Sequence, residues 1–168
     1  MRYVVQHTEL VEGTVEARAY QLEAVDEALT GSMLLVLPTA AGKTAVSWML
    51  IAEILQKKQG WILFIAPTGA LVDQHTKDLN RVIKNYEAIS ITGVNEPKKR
   101  EKLWKTSRLI VATPQVVRND VLSGSLSLNE CSLLILDEVH HSTGKHAMAQ
   151  SAEMYNSSSE SKHIFGTT

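Results

Sequence analysis

Met33-Leu34-Leu35-Val36-Leu37-Pro38-Thr39-Ala40-Ala41-Gly42-Lys43-Thr44 is an apolar run that breaks through small residues into a helical stretch beginning at Ala45. A strand that turns into a helix in this way presents backbone N–H groups and the positive end of the helix dipole to an anion. Nucleotide phosphate is the natural candidate, held by the loop from Pro38 to Thr44. An ordinary strand-to-helix turn of small residues would look similar. Lys43 argues for the phosphate, because a lysine in the first helical turn opposes the dipole by about 0.3–1 kcal/mol, a cost that a bound β- or γ-phosphate would offset. Thr44 would then offer its hydroxyl to Mg²⁺. The full glycine-rich pattern asks for glycine five positions before Gly42, where this chain has Leu37.

Outward from this stretch, strand-length apolar runs alternate with helical ones. Met33 to Leu37, Trp61 to Ala66, Ala88 to Ile91, Leu109 to Ala112, Leu133 to Leu136 and His163 to Phe165 read as strands. Several are continuously apolar, as strands buried on both faces are. Thr44 to Lys58, Gly69 to Lys84, Glu96 to Lys105 and Pro114 to Leu122 read as helices, with Thr113 an N-cap and Pro114 at the first helical position. Thr14 to Leu29 also carries helical spacing and closes at Gly31, and residues 1–17 are an N-terminal arm leading into it. The alternation predicts an α/β fold with a mostly parallel central sheet flanked by helices.

A chain of 168 residues suits one domain with one core, burying about two-thirds of its unfolded surface. Its 44% hydrophobic and 21% charged content, without a biased tract, is that of a globular protein. A net charge of −1 does not announce a nucleic-acid binder, so any such surface must be local. Cys131, the only cysteine, precedes an apolar run and reads as a buried thiol, and no intramolecular disulfide is possible. No apolar stretch reaches the roughly 18 residues of a membrane span, and Met1-Arg2-Tyr3 does not begin a signal peptide. An intracellular location is the expectation.

Leu133-Leu134-Ile135-Leu136-Asp137-Glu138 is an apolar strand ending in two acids. Adjacent carboxylates beside a core are costly unless a cation or a water needs them. Ligands of a doubly wound sheet lie outside the carboxyl ends of its strands, so Asp137 and Glu138 would emerge beside Lys43 and Thr44 if their strands are neighbours. Asp137 would hold Mg²⁺, usually through water, and Glu138 would polarise an attacking water. For the acid pair alone a solvated strand end is the competing reading; the loop upstream shifts the balance toward chemistry.

Asp137-Glu138-Val139-His140 resembles the DExH box of superfamily 2 helicases, and other stretches are similar to that family's motifs in the same order. Arg18-Ala19-Tyr20-Gln21 resembles the adenine-reading Q motif, and a glutamine amide can pair with both N6 and N7 of adenine. Ala66-Pro67-Thr68-Gly69-Ala70-Leu71-Val72-Asp73-Gln74 is similar to motif Ia, Thr92-Gly93 to the TG element and Thr113-Pro114-Gln115 to motif Ib. The resemblance runs from Arg18 to Thr168. It is closest to the branch containing the archaeal Hef and Fanconi-anaemia M-type fork-remodelling helicases, where a Lys/Arg-rich helix follows the Thr-Gly element.

The resemblance implies a three-layer RecA-like P-loop NTPase domain, the first motor lobe of an ATP-dependent helicase or translocase acting on forked or branched DNA. ATP and Mg²⁺ are the implied cofactors. Lys43, Asp137, Glu138 and His140 would be catalytic, and Arg18, Gln21, Pro38, Thr39, Ala40, Ala41, Gly42, Lys43 and Thr44 would bind nucleotide, with Thr44 and Asp137 on the metal. Pro67, Thr68, Gln74, Thr92, Gly93, Thr113, Pro114 and Gln115 would line the strand-binding groove; hydroxyls and helix N-termini hold a nucleic-acid backbone without reading its sequence. His140 would reach polar groups near Thr167. The family's second RecA-like lobe has no counterpart in these residues and is expected elsewhere in a longer protein, so little hydrolysis is expected from this chain alone. A motor tracking double-stranded RNA and a non-translocating, nucleotide-regulated nucleic-acid-binding module stay open as alternatives.

Three features have two readings each. His140, His141 and His146 lie close in sequence, but structural zinc sites normally take four ligands and often cysteine, which weighs against metal. Lys98, Lys99, Arg100, Lys102, Lys105 and Arg108 form the main basic cluster, either a solvated helix face or a nucleic-acid contact. Trp48, Trp61 and Trp104 read as core residues rather than base-stacking ones.

Overall fold

The computed structural model describes residues 1–38, 42–141 and 144–168. Thr39, Ala40 and Ala41 of the expected phosphate loop lie outside the described residues. The elements are β1 (Tyr3–Val4), β2 (Glu16–Ala17), α1 (Ala19–Thr30), β3 (Met33–Leu35), α2 (Lys43–Lys57), β4 (Trp61–Ile65) and α3 (Gly69–Val82). They continue with β5 (Ala88–Ile91), α4 (Pro97–Thr106), β6 (Leu109–Ala112), α5 (Pro114–Ser123), β7 (Cys131–Leu136), α6 (Lys145–Ser158) and β8 (Ile164–Thr167). Six strands form one sheet in the order β3-β8-β7-β4-β6-β5, every pair parallel.

Side chains that alternate along each strand divide the core in two. Ile62, Phe64, Leu133, Ile135, Leu109 and Val111 pack one face against α1, α2 and α3, through residues such as Val25, Leu50 and Leu79. Leu63, Ile65, Leu134, Leu136, Ile110 and Ala112 pack the other against α4, α5 and α6, through Trp104, Val117, Met148 and Tyr155. All six residues of β7 are buried, Ser132 together with the apolar run Leu133 to Leu136. Cys131 is among them, and burial pushes its thiol up to about 12.

The structure departs from the expected elements in four places. Helix α1 starts at Ala19 rather than Thr14, because Glu16–Ala17 pairs antiparallel with Tyr3–Val4, so the arm carries a small ladder of its own. Strand β3 is a sheet edge with Leu34 and Val36 exposed, so its apolar run is not buried on both sides. Helix α6 was not expected, since its buried side includes the small or polar Ala147 and Ser151. Thr113 does precede α5 with Pro114 at its first position, but its side chain makes no capping bond.

The basic cluster also resolves into two kinds of residue. Arg100 lies on α4 but turns inward, its Nε and Nη2 donating to the Asp120 carboxylate at 2.8 and 2.9 Å. Trp104 Nε1 donates to the same carboxylate at 2.8 Å, and Arg100 Nη1 to the Asn95 carbonyl at 2.7 Å. Arg108 stacks on Tyr86 and donates to the carbonyls of Gly60, Leu55 and Lys58, tying the end of α2 to the start of β4. Lys98, Lys99, Lys102 and Lys105 stay exposed. Two arginines of the cluster are therefore structural, drawn inward because guanidinium supplies several donors at once.

Burial raises the Asp120 carboxyl, but the bonds from Arg100 and Trp104 outweigh it and leave the group below its ordinary value. A carboxyl lowered on folding stabilises above its unfolded pKa of about 4 and loses that contribution as pH falls through the folded value. Asp120→Ala is expected to reduce unfolding free energy at pH 7 by about 2–4 kcal/mol in urea titrations, because it strands Arg100 and the Trp104 indole. Asp120→Asn should cost less and flatten the wild-type loss of stability below pH 4.

Candidate functional site

Parallel pairing sends the carboxyl ends of all six strands to one edge of the sheet, and the expected site residues follow those ends. Over β3, β8 and β7 lie Gly42, Lys43, Thr44, Asp137 and Glu138. Lys43 Nζ stands 3.8 Å from Glu138 Oε1, although their strands are not neighbours, for β8 runs between them. Two strand spacings are about 10 Å, a gap the long lysine side chain bridges from the first turn of α2.

Each of these side chains is placed by a local device. Gly42 caps α2 at φ +85°, where a Cβ would come within 1.9 Å of Gln21 Nε2. That space lets Gln21 donate to the Gly42 carbonyl at 2.9 Å while its Oε1 accepts the Arg18 N–H at 2.7 Å. Gln21 is therefore a buried brace between the start of α1 and the loop, not a surface residue. Two of its four hydrogen-bonding positions are used in this way.

Asp137 is 5% exposed and accepts on both oxygens, from the Thr167 hydroxyl at 3.1 Å and from His75 Nε2 at 2.9 Å. Glu138 has φ 51°, a left-handed conformation that costs an L-residue about 1–2 kcal/mol. Its N–H meets the Thr167 hydroxyl at 3.3 Å, and the turn aims its carboxylate at Lys43. Such strain persists only where the surrounding structure holds it in place. His140 Nδ1 lies 2.7 Å from the Thr168 hydroxyl, among the polar groups near Thr167 where a contact is expected, while Thr167 itself serves Asp137 and Glu138.

The chemistry of this donor set fits Mg²⁺ carried on a nucleotide. Mg²⁺ keeps several waters and takes one or two protein oxygens plus phosphates, and one buried carboxylate with the Thr44 hydroxyl near a lysine suits that demand. Among the described residues no group of three or more His, Cys, Asp or Glu could hold a metal by itself, so the three histidines form no such centre.

The expected groove residues occupy the other half of the same edge, past β4, β6 and β5. Pro67 is buried, and the Thr68 hydroxyl caps α3 by accepting the Leu71 N–H at 3.3 Å. Gln74 is exposed on α3 and bonds Asp78. Thr92 is held through its N–H by Asn95, itself held by Arg100, and Gly93 is exposed. Pro114 is buried and Gln115 half-buried. Gly144, at φ +75°, sits where a Cβ would come within 2.9 Å of Pro114 Cγ, 3.2 Å of Gln115 Nε2 and 3.4 Å of the Pro67 carbonyl. It sits against the turns after β4 and β6. A concavity of about 1080 Å³ opens at the opposite end of the sheet around Gly60, Trp61 and Ser132, away from this site.

Three residues of the site carried no motif: His75, Thr167 as a partner of Asp137, and Gly144. His75 had the clearest signal, a histidine on the buried stripe of Val72, Leu79 and Val82 that must find a polar partner.

The family description of DEAD/DEAH box helicases matches residues 18–168. The chain belongs to that family. The helicase domain is 42% identical over 166 residues to a Methanocaldococcus jannaschii protein provisionally named an ATP-dependent RNA helicase, covering 98% of this chain and 21% of that one. It is 34% identical over 152 residues to the ATP-dependent DNA helicase MPH1 of Eremothecium gossypii, covering 89% of this chain and 14% of that one. The crystal structure of the Pyrococcus furiosus Hef helicase domain superposes with a TM-score of 0.84 at 34% identity, over 90% of this chain and 33% of that one. The expected likeness to the Hef and Fanconi-anaemia M-type branch is thereby found, with the RecA-like fold it implied. The domain spans less than a quarter of these two sequence relatives. No helix among the described residues is long and apolar enough to cross a membrane.

Gly144→Ala is expected to lose about 1–2 kcal/mol of stability from its left-handed backbone. It should also weaken single-strand binding more than nucleotide binding, since the added methyl presses on the groove turns; parallel melting and fluorescence titrations would show the split.

Proposed function

We propose that this domain is the ATP-binding lobe of a DNA helicase or translocase acting on forked or branched DNA. The observation that carries the reading is the approach of Lys43 to Glu138 beside the buried Asp137, on the same sheet edge as the groove residues. Lys43 would bind the β- and γ-phosphates, leaving its contact with Glu138 for the nucleotide. Gly42 and the first turn of α2 would supply backbone N–H groups. Thr44 and Asp137 would hold Mg²⁺, Asp137 through water. When bound, Mg²⁺–ATP supplies the phosphoanhydride and the charge that neutralises its cleavage. Glu138, freed from Lys43, would orient and polarise the attacking water.

The remaining elements of a motor lie outside this domain in the proposal. A second RecA-like lobe would close on the nucleotide and contribute arginines, each worth about 10³–10⁵ in rate. Its opening and closing would step the grip of the Thr68, Thr92 and Thr113 turns along a strand. The name of the Eremothecium gossypii relative supports a DNA track, and the likeness to Hef supports the fork-remodelling branch. The name of the Methanocaldococcus jannaschii relative favours a second reading, an RNA track.

Competition between forked DNA and RNA duplex for stimulating the ATPase of the full-length protein is expected to favour forked DNA; preference for the RNA duplex would replace the first reading with the second. Glu138→Gln should retain Mg²⁺–ATP binding in equilibrium titrations and lower turnover by at least about 10², the range of general base catalysis. The domain alone is expected to bind Mg²⁺–ATP weakly and turn it over slowly, and brisk hydrolysis would show that no second lobe is needed.

A further inference from the structure

Helix α3 reaches the acid pair from beneath as well as facing the groove. His75 is 9% exposed on its buried stripe, with its ring 4.7 Å from that of Phe64 and its Nε2 2.9 Å from Asp137 Oδ2. A carboxylate oxygen accepts, so Nε2 carries the proton and donates. Nδ1 is left buried with no partner among the described residues. A leucine would fill the same place among Val72, Leu79 and Val82 without stranding a polar atom, so packing alone does not explain a histidine there.

What the histidine does supply is the second of two donors to Asp137. The Thr167 hydroxyl serves Oδ1 and His75 serves Oδ2, which fixes the carboxylate plane with one donor on each oxygen among the described residues. The two donors ride on different parts of the fold. Thr167 belongs to β8, hydrogen-bonded directly to β7, and stays in step with the strand that bears Asp137. His75 belongs to α3, whose capped first turn bears Thr68 and whose exposed side bears Gln74, the residue next to His75. A nucleic-acid strand that shifts α3 therefore moves a donor on the metal-holding carboxylate, with no loop in between.

We propose that His75 is a positioning residue that couples strand binding on α3 to the Asp137 carboxylate, and through it to Mg²⁺ held with the nucleotide. The proposal rests on the nucleotide site described above. Coupling of this kind is reciprocal: whatever strand binding does to metal–nucleotide affinity, metal–nucleotide does to strand affinity.

Three variants of the full-length protein test it. His75→Gln places an amide nitrogen near the position of Nε2, His75→Asn reaches only the position of Nδ1, and His75→Leu fills the space without a donor. Affinity for a fluorescent ATP analogue would be read with Mg²⁺ and with EDTA, alongside kcat and KM of the ATPase with and without single-stranded DNA. Partners of a metal ligand are typically worth 10- to 100-fold in metal affinity. The Mg²⁺-dependent tightening and the DNA stimulation of kcat should each fall at least about 10-fold in His75→Leu and His75→Asn, and stay within about 2-fold of wild type in His75→Gln. Affinity in EDTA should not change. If His75→Leu does not fold, as its melting curve would show, the Gln and Asn variants decide: equal behaviour of the two overturns the proposal. Retention of both effects in a folded His75→Leu also overturns it. Wild-type protein that binds the analogue in neither condition overturns the nucleotide site itself, and the role of His75 with it.

Discussion

Parallel alignment of six strands is the constraint from which the site follows. It forces every turn after a strand to the same edge of the sheet, so residues far apart in the chain converge without any loop having to travel. The order β3-β8-β7-β4-β6-β5 then divides that edge. The strands bearing the lysine turn and the acids occupy one half, and those bearing the threonine turns occupy the other. β7 and β4, which pair over five registered positions, form the boundary, so a displacement on either half meets a stiff wall of buried side chains. Close-packed interiors of this kind transmit strain rather than absorb it.

Charge is managed locally and not by the chain as a whole. With a net charge near zero, the protein has no general attraction for polyanions. The arginines that would have supplied one are spent on carbonyls and on Asp120, while exposed lysines remain along α4. The bonds from Arg100 to the Asn95 carbonyl and from the Thr92 N–H to Asn95 Oδ1 make that spending indirectly useful, since they brace the turn after β5. An arginine facing inward thus shapes the candidate groove more firmly than one facing outward would.

Much of this was legible in the sequence, and the reasons differ by element. β4, β6 and β7 were plain because unbroken apolar runs have few other uses in a chain of this composition. The lysine turn and the acid pair were readable because each places charge where charge is otherwise unfavourable. Helix α6 was not, for its buried side includes Ala147 and Ser151, which carry little hydrophobic signal. The inward turn of Arg100 and Arg108 depends on partners up to 53 residues away, which spacing along one helix cannot reveal. The left-handed Glu138 and the separation of β3 from β7 by β8 are likewise products of tertiary pairing. His75 lay between these cases: its stripe was visible, its partner was not.

The exposed edge at β3 has a consequence for local stability. β3 has a single neighbour, β8, paired over three positions, and the exposed Leu34 on it and Val36 just after it contribute little burial. Segments with few buried contacts open at a lower free energy than the rest of a fold. The strand that leads into the lysine turn is therefore among the cheapest parts of the sheet to open, while the acids stand on its best-buried strand. In the proposed reading, an anion held by Lys43 would favour the closed form, and mass action would then raise the opening cost of β3 with ligand concentration. Amide exchange along Met33 to Leu35 would act as a gauge of how full the site is.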